Sequence, residues 1–82
     1  MTTFIETPRH LGEIVRKARK ALRLTQPQLA LAAGVGVRFI VDLEAGKPTV
    51  RLENVLRVLQ ALGITLAASG LDDISEEPGV RA

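Results

Sequence analysis

Apolar side chains recur every three or four residues along most of this chain, and a few glycines, prolines and threonines divide the pattern into segments. Between His10 and Leu24, the residues Leu11, Ile14, Val15, Ala18 and Leu22 fall on one helical stripe. Thr7 is a candidate N-cap there, and Pro8 fits the first helical position, where a missing N–H costs nothing. Arg16, Lys17, Arg19, Lys20 and Arg23 fill the remaining surface of this first helix. Two shorter helices are predicted at Gln26 to Ala33 and Val37 to Ala45, the latter stopped by Gly46. Lys47, Pro48 and Thr49 then form a connection. Thr49 is the expected cap of a fourth helix, Val50 to Leu62, whose Leu52, Val55, Leu56, Leu59 and Leu62 make a broad apolar stripe before Gly63 ends it. The expected core is therefore all-α, built from aliphatic residues of four helices.

After Gly63 the period changes. In ITLAAS, Ile64, Leu66 and Ala68 alternate with Thr65 and Ala67, which is a strand pattern. A lone strand leaves its backbone edges unpaired, so it needs either the extended N-terminal TTFI segment or its own copy in a second subunit. The bland alternative is a simple extended tail. The chain thus divides into an extended arm over 1–6, a helical domain over 7–63, a strand over 64–69 and an acidic, flexible tail over 70–82. No internal repeat or low-complexity tract is present.

The second and third segments carry more information than their lengths suggest. Thr25 and Gln28, three apart, make a capping-box pattern, with Pro27 tolerated inside the first turn. Ala30 falls where two helices cross closest, and a larger residue there would push them apart. Gly34 falls where the helix must end in a left-handed conformation. The turn is then Gly34 to Gly36, with Val35 buried beneath it. Ile40 and Leu43, on one face of the next helix, would pack on Leu29 and the first helix, leaving Val37, Arg38, Val41 and Asp42 outward. This spacing describes a helix-turn-helix, whose second helix usually enters a DNA major groove. An ordinary pair of packed helices is the alternative reading.

Length and charge narrow the choice. Eighty-two residues suit one small domain with little room for an active-site cleft. There is no cysteine, and His10 is the single histidine, which removes disulfides, thiolate metal sites and a zinc site built on histidine. Residues 1–70 hold ten Lys or Arg against five Asp or Glu, while 71–82 hold Arg81 against Asp72, Asp73, Glu76 and Glu77. A basic body suits a polyanion, because each phosphate contact releases counterions. The longest apolar run, Leu29 to Val37, is too short for a membrane span, and MTTFIETPRH lacks the pattern of a signal peptide. A cytoplasmic location is the expectation.

Enzyme motifs are incomplete. Gly34-Val35-Gly36 lacks the third glycine of a dinucleotide loop, since Phe39 stands in its place, and Gly46-Lys47 lacks the earlier glycine and the following Ser/Thr of a P-loop. Ser69 and Ser75 have no matched base. The expectation is a protein without catalytic activity and without a cofactor.

The run LTQPQLALAAGVGVRFIVDLEAGKPTVRLENVLRVLQALGI resembles the phage-repressor-like (XRE, Cro/CI-type) helix-turn-helix domains, and within them the HipB-type antitoxins that partner HipA-type kinase toxins. The resemblance covers about Thr7 to Leu66 and is carried by LTQ at Leu24–Gln26, Leu29-Ala30, AGV at Ala33–Val35, RFI at Arg38–Ile40, DLEAGKPT at Asp42–Thr49 and the VLRVLQALG run. It implies a four- to five-helix all-α domain with a short C-terminal strand, Ile64, Thr65, Leu66, Ala67 and Ala68, paired across a homodimer. It also implies base reading by Val37, Arg38, Val41 and Asp42, with Arg38 the foremost reader. Phosphate contacts would come from Thr25, Gln26, Gln28, Lys47 and Arg51, helped by exposed N–H groups at the second helix's start. Phe39 is expected to pack rather than intercalate. The implied partners are double-stranded operator DNA, a second copy and a HipA-like serine/threonine-kinase toxin, in an autorepressing toxin–antitoxin operon; the alternative is a repressor without a toxin partner. Many relatives have Ser at the position of Gly36 and polar residues at those of Val37 and Val41, so polar readout is thinner here.

Overall fold

The computed structural model describes residues 3–70. Four helices occupy them: α1 (Pro8–Ala21), α2 (Gln26–Ala33), α3 (Val37–Glu44) and α4 (Leu52–Ala61). The helix starts follow local chemistry. Thr7 Oγ1 accepts the His10 N–H at 3.0 Å ahead of Pro8. Thr25 and Gln28 form the full reciprocal box, the Gln28 N–H reaching Thr25 Oγ1 at 3.1 Å and the Thr25 N–H reaching Gln28 Oε1 at 2.8 Å. α4 departs from expectation. It begins after Arg51 with no side-chain cap, not at Val50 after Thr49, because Val50 packs on the core from the connecting segment.

All four helices end in the same pair of backbone bonds, which satisfies carbonyls that would otherwise be orphaned. Leu24 N–H bonds the Arg19 carbonyl (3.1 Å) and Arg23 N–H that of Lys20 (2.9 Å); the equivalent pairs after α2, α3 and α4 close on Ala30, Asp42 and Leu59 at 3.0, 3.0 and 2.9 Å. The left-handed residue is Gly34, Gly46 or Gly63 in three cases, and Arg23 (φ 60°) in the first. α1 consequently stops at Ala21 and does not run on to Leu24.

The core comprises Val15, Leu29, Ala30, Ala33, Ile40, Leu43, Val55, Val58, Leu59 and Leu62. Three residues expected there are exposed: Leu22 caps α1 at the surface, Leu52 lies in the first turn of α4, and Leu56 sits one position round the helix from Val55, off the buried stripe. Val58, not singled out by the pattern, is fully buried. α3 packs on α1 and α2, and α2 packs on α4. The α1–α3 contact is backbone on backbone. A Cβ at Gly12 would collide with the Leu43 carbonyl oxygen and lie 2.8 Å from that of Glu44, and one at Gly46 would lie 2.8 Å from Arg9 Cα.

Beyond Gly63 the described chain has no regular structure, and no strand occurs among the described residues. The strand expected over 64–69 is therefore not formed within one copy. Thr3 to Ile5 and Gly63 to Ser69 instead border an open cleft of about 720 Å³ floored by Ile14. Ile64 is already engaged, its N–H closing α4 and its side chain against the core, whereas Thr65 to Ala68 are exposed. The acidic segment 71–82 lies outside the described residues. No helix among those described is long and apolar enough to cross a membrane.

Candidate nucleic-acid interface

Two short helices and a three-residue turn place the candidate residues. Ala30, 2% exposed, lets α2 and α3 approach, and Gly34 adopts φ 73° to reverse the chain. Val35 is half-buried beneath the turn, its N–H bonded to the Ala30 carbonyl. α3 starts from Gly36 without a side-chain cap and directs Ile40 and Leu43 inward. Phe39 packs against the core, as expected.

The outward face of α3 is ordered by charge. The Arg38 side chain is 83% exposed, and its Nε lies 3.2 Å from Asp42 Oδ1, one turn along the helix. Lys47 Nζ, in the loop after α3, lies 3.7 Å from the other carboxylate oxygen. Asp42 is thus mostly covered and bracketed by two cations, while Val37 is exposed and Val41 half-buried. Of the four residues read as outward, Val37 and Arg38 are open to a ligand, and Asp42 acts on Arg38. An exposed pair like this contributes little stability, but it restricts where the guanidinium points.

The residues read as phosphate contacts divide into two groups. Thr25, Gln26 and Gln28 stand together at the start of α2, Thr25 and Gln28 locked by their mutual cap. Lys47 and Arg51 lie on the connection between α3 and α4, both well exposed, with Arg51 3.8 Å from Glu53.

One cluster was missed by sequence reasoning. Arg19, expected on the surface, is 9% exposed. Its Nε and Nη2 donate to Glu44 at 2.6 and 3.0 Å, and its Nη1 donates to the Leu24 carbonyl at 2.8 Å. The hydrogen-bonded Glu44 carboxylate holds the Arg19 guanidinium above its ordinary pKa against the opposing effect of burial. Gln26 Nε2 donates to Glu44 Oε1 at 3.1 Å, tying α1, α2 and α3 together. A signal for this pair existed. Arg19 continues the buried series Gly12 and Val15 at helical spacing, and Glu44 follows Ile40 by four, so two opposite charges occupy inward stripes. Arg16 and Lys20 of α1 line an open groove together with Gln26, Val41 and Glu44, which brings the basic surface of α1 to the side where α2 begins and α3 faces out.

Residues 15–68 match the family model for the helix-turn-helix, HTH_3. The chain is 54% identical over 66 residues to the uncharacterized HTH-type transcriptional regulator y4mF of Sinorhizobium fredii, an alignment covering 80% of this chain and 87% of that protein. Among solved structures, it is similar to a chain of the HipA-HipB-O2-O3 complex, with a TM-score of 0.76 at 22% identity over 83% of this chain and 96% of the other, a likeness in fold. It is also similar to the restriction-modification controller protein C.AhdI from Aeromonas hydrophila, with a TM-score of 0.65 at 31% identity over 71% of this chain and 88% of the other. With two helices crossing at Ala30, a turn on Gly34 and an exposed outer face on α3, the chain belongs to the XRE-type helix-turn-helix family of DNA-binding transcriptional regulators.

Proposed function

We propose that the protein is a sequence-specific operator-binding repressor that acts as a twofold dimer, and that it is an antitoxin of the HipB type. It represses its own operon and holds a HipA-like serine/threonine-kinase toxin in an inactive complex. The observation that carries the DNA-binding core of this reading is the exposed, Asp42-oriented Arg38 on α3, one helix away from Thr25, Gln26 and Gln28 at the start of α2. Arg38 bridges guanine O6 and N7, a contact worth roughly 1–3 kcal/mol of discrimination. Val37 and Val41 meet thymine methyl groups, and DNA shape supplies preference at untouched positions. Lys47 and Arg51 touch the backbone on one side of α3, and Gln26 with Thr25 and Gln28 does so on the other.

The antitoxin part is supported by the likeness in fold to a chain of a HipA-HipB complex, and the dimer by exposed residues Thr65 to Ala68, whose strand pattern calls for a partner. Two copies related by a twofold axis would present their α3 helices about 34 Å apart, matching an inverted repeat. The protein itself carries out no reaction and works in the cytoplasm, on the nucleoid when operator-bound. A second reading is a repressor without a toxin, favoured by the higher identity to C.AhdI, a restriction-modification controller protein. Co-purification with the product of the adjacent gene separates the two: a stoichiometric kinase-like partner supports the first, and none supports the second.

The test of DNA binding is fluorescence anisotropy on duplex from immediately upstream of the gene and on scrambled duplex, across a salt series. Binding should prefer the upstream duplex and weaken steeply with salt. Arg38→Ala should lose roughly 10- to 100-fold of that preference while melting within about 0.5 kcal/mol of the wild type. An unchanged preference removes Arg38 from the reading face.

A further inference from the structure

The start of α2 offers few backbone donors. Pro27 has no N–H, the Gln28 N–H is taken by Thr25 Oγ1, and the Leu29 N–H bonds the Thr25 carbonyl at 3.0 Å. At these first positions the Gln26 N–H alone is uncommitted, so the helix end by itself is a weak anion site and side-chain donors must carry most of any grip on a phosphate there.

Gln26 supplies such a donor in a fixed orientation. Its Nε2 lies 3.1 Å from Glu44 Oε1, and only the amide nitrogen can face a carboxylate, so the flip of the amide is decided. One Nε2 hydrogen is bound inward and the other is left for a ligand. Glu44 is held in turn by Arg19, with side chains 5% and 10% exposed. Arg19 also neutralises Glu44, so a carboxylate stands close behind a phosphate contact without repelling it. The same groove is lined by Arg16 and Lys20.

We propose that Glu44, held by Arg19, is the positioning residue that aims the free Nε2 hydrogen of Gln26 at a phosphodiester oxygen of the duplex beside Arg16 and Lys20. This rests on the DNA-binding reading above and adds a component to it. Glu44 lies on the reading helix and touches no DNA, yet it sets sequence-independent affinity. It also couples the placement of α3 to the backbone grip of α2, because one carboxylate fixes both.

Anisotropy on upstream and scrambled duplexes tests this with Gln26→Ala, with the paired variant Arg19→Met/Glu44→Leu, and with all three substitutions together. The paired variant removes both buried charges at once, which is tolerated far better than orphaning one. Gln26→Ala should weaken both duplexes by the same factor, about three- to tenfold, without changing the preference between them. The paired variant should show the same loss on both, and no further loss in the Gln26→Ala background. A further loss there equal to its loss in the wild type would mean a general effect on the fold, and would overturn the positioning role. Should the paired variant fail to fold, the Gln26 side-chain amide of the wild type decides by NMR: one slowly exchanging proton and one that shifts when scrambled duplex is added support the proposal. Two equally fast protons, or no shift, overturn it. A wild type that binds neither duplex would reject the DNA-binding reading itself, and that outcome differs from a wild type that binds and is indifferent to Gln26.

Discussion

Arg23 occupies φ 60° at the end of α1, where the other three helices place glycine. A residue with a Cβ costs about 1–2 kcal/mol in that region, partly offset because glycine loosens the unfolded chain. Arg23→Gly should therefore stabilise the domain by about 0.5–1 kcal/mol, read as a higher denaturation midpoint at unchanged slope; no gain would mean that the guanidinium stem repays the strain. Single residues were legible in the sequence where their neighbours in the chain decide their fate. Thr7, the Thr25–Gln28 box and Gly34 stand as their local chemistry requires. Arg19 and Glu44 were not, because a charge is ordinarily assigned to solvent, and only the meeting of two helices makes burial affordable. Leu22, Leu52 and Leu56 failed in the opposite sense, since hydrophobicity shows what can be buried but not whether a neighbour arrives to cover it.

Among the elements, α1 and α3 meet backbone against backbone. The contact at Gly12 admits no side chain, because the opposing atoms are carbonyl oxygens of α3 and cannot rotate away. Gly12→Ala would force the helices apart, at about 1–3 kcal/mol and a melting temperature lower by roughly 5–15 °C. If α3 reads bases as proposed, operator affinity should fall further than melting alone explains; a full-strength binder with an alanine there would show that α1 and α3 can slide. The order and nature of the four helices were legible from apolar spacing and glycine punctuation. The starts and ends were less so. α4 begins late because Val50, ahead of it in the chain, packs on the core, and α1 ends early because Arg23 turns left-handed, which an arginine in the sequence does not announce. Gly12 itself could not be read, since a glycine inside a helix is silent about which backbone lies across from it.

At the scale of the whole molecule, the question is what pairs with Thr65 to Ala68. Ile64 belongs to its own subunit's core, so a truncation that removes 65–82 and keeps Ile64 should leave the helices melting as before. If those residues pair between copies, sedimentation of the truncated chain should give a monomer, and binding to an inverted-repeat operator should weaken more than binding to a half-site. A truncated chain that still sediments as a dimer would place the interface elsewhere. The family was legible in the sequence, as was the outward placement of Val37 and Arg38, because the helix-turn-helix is a local motif whose constraints lie within about eighteen residues. The strand was expected from alternation and from the family resemblance, and among the described residues no strand stands beside it.

The division of labour along α3 reaches further than one operator. Ile40 and Leu43 turn inward and hold the helix, while Val37 and Arg38 are exposed on its outer side. If Val37 and Arg38 read bases as proposed, recognition and folding are written in different letters of the same eight-residue word. Descendants of such a chain could then exchange one target for another by changing those outward positions, with almost nothing to repair inside, and a library randomised at Val37 and Arg38 should consist largely of folded proteins with new preferences.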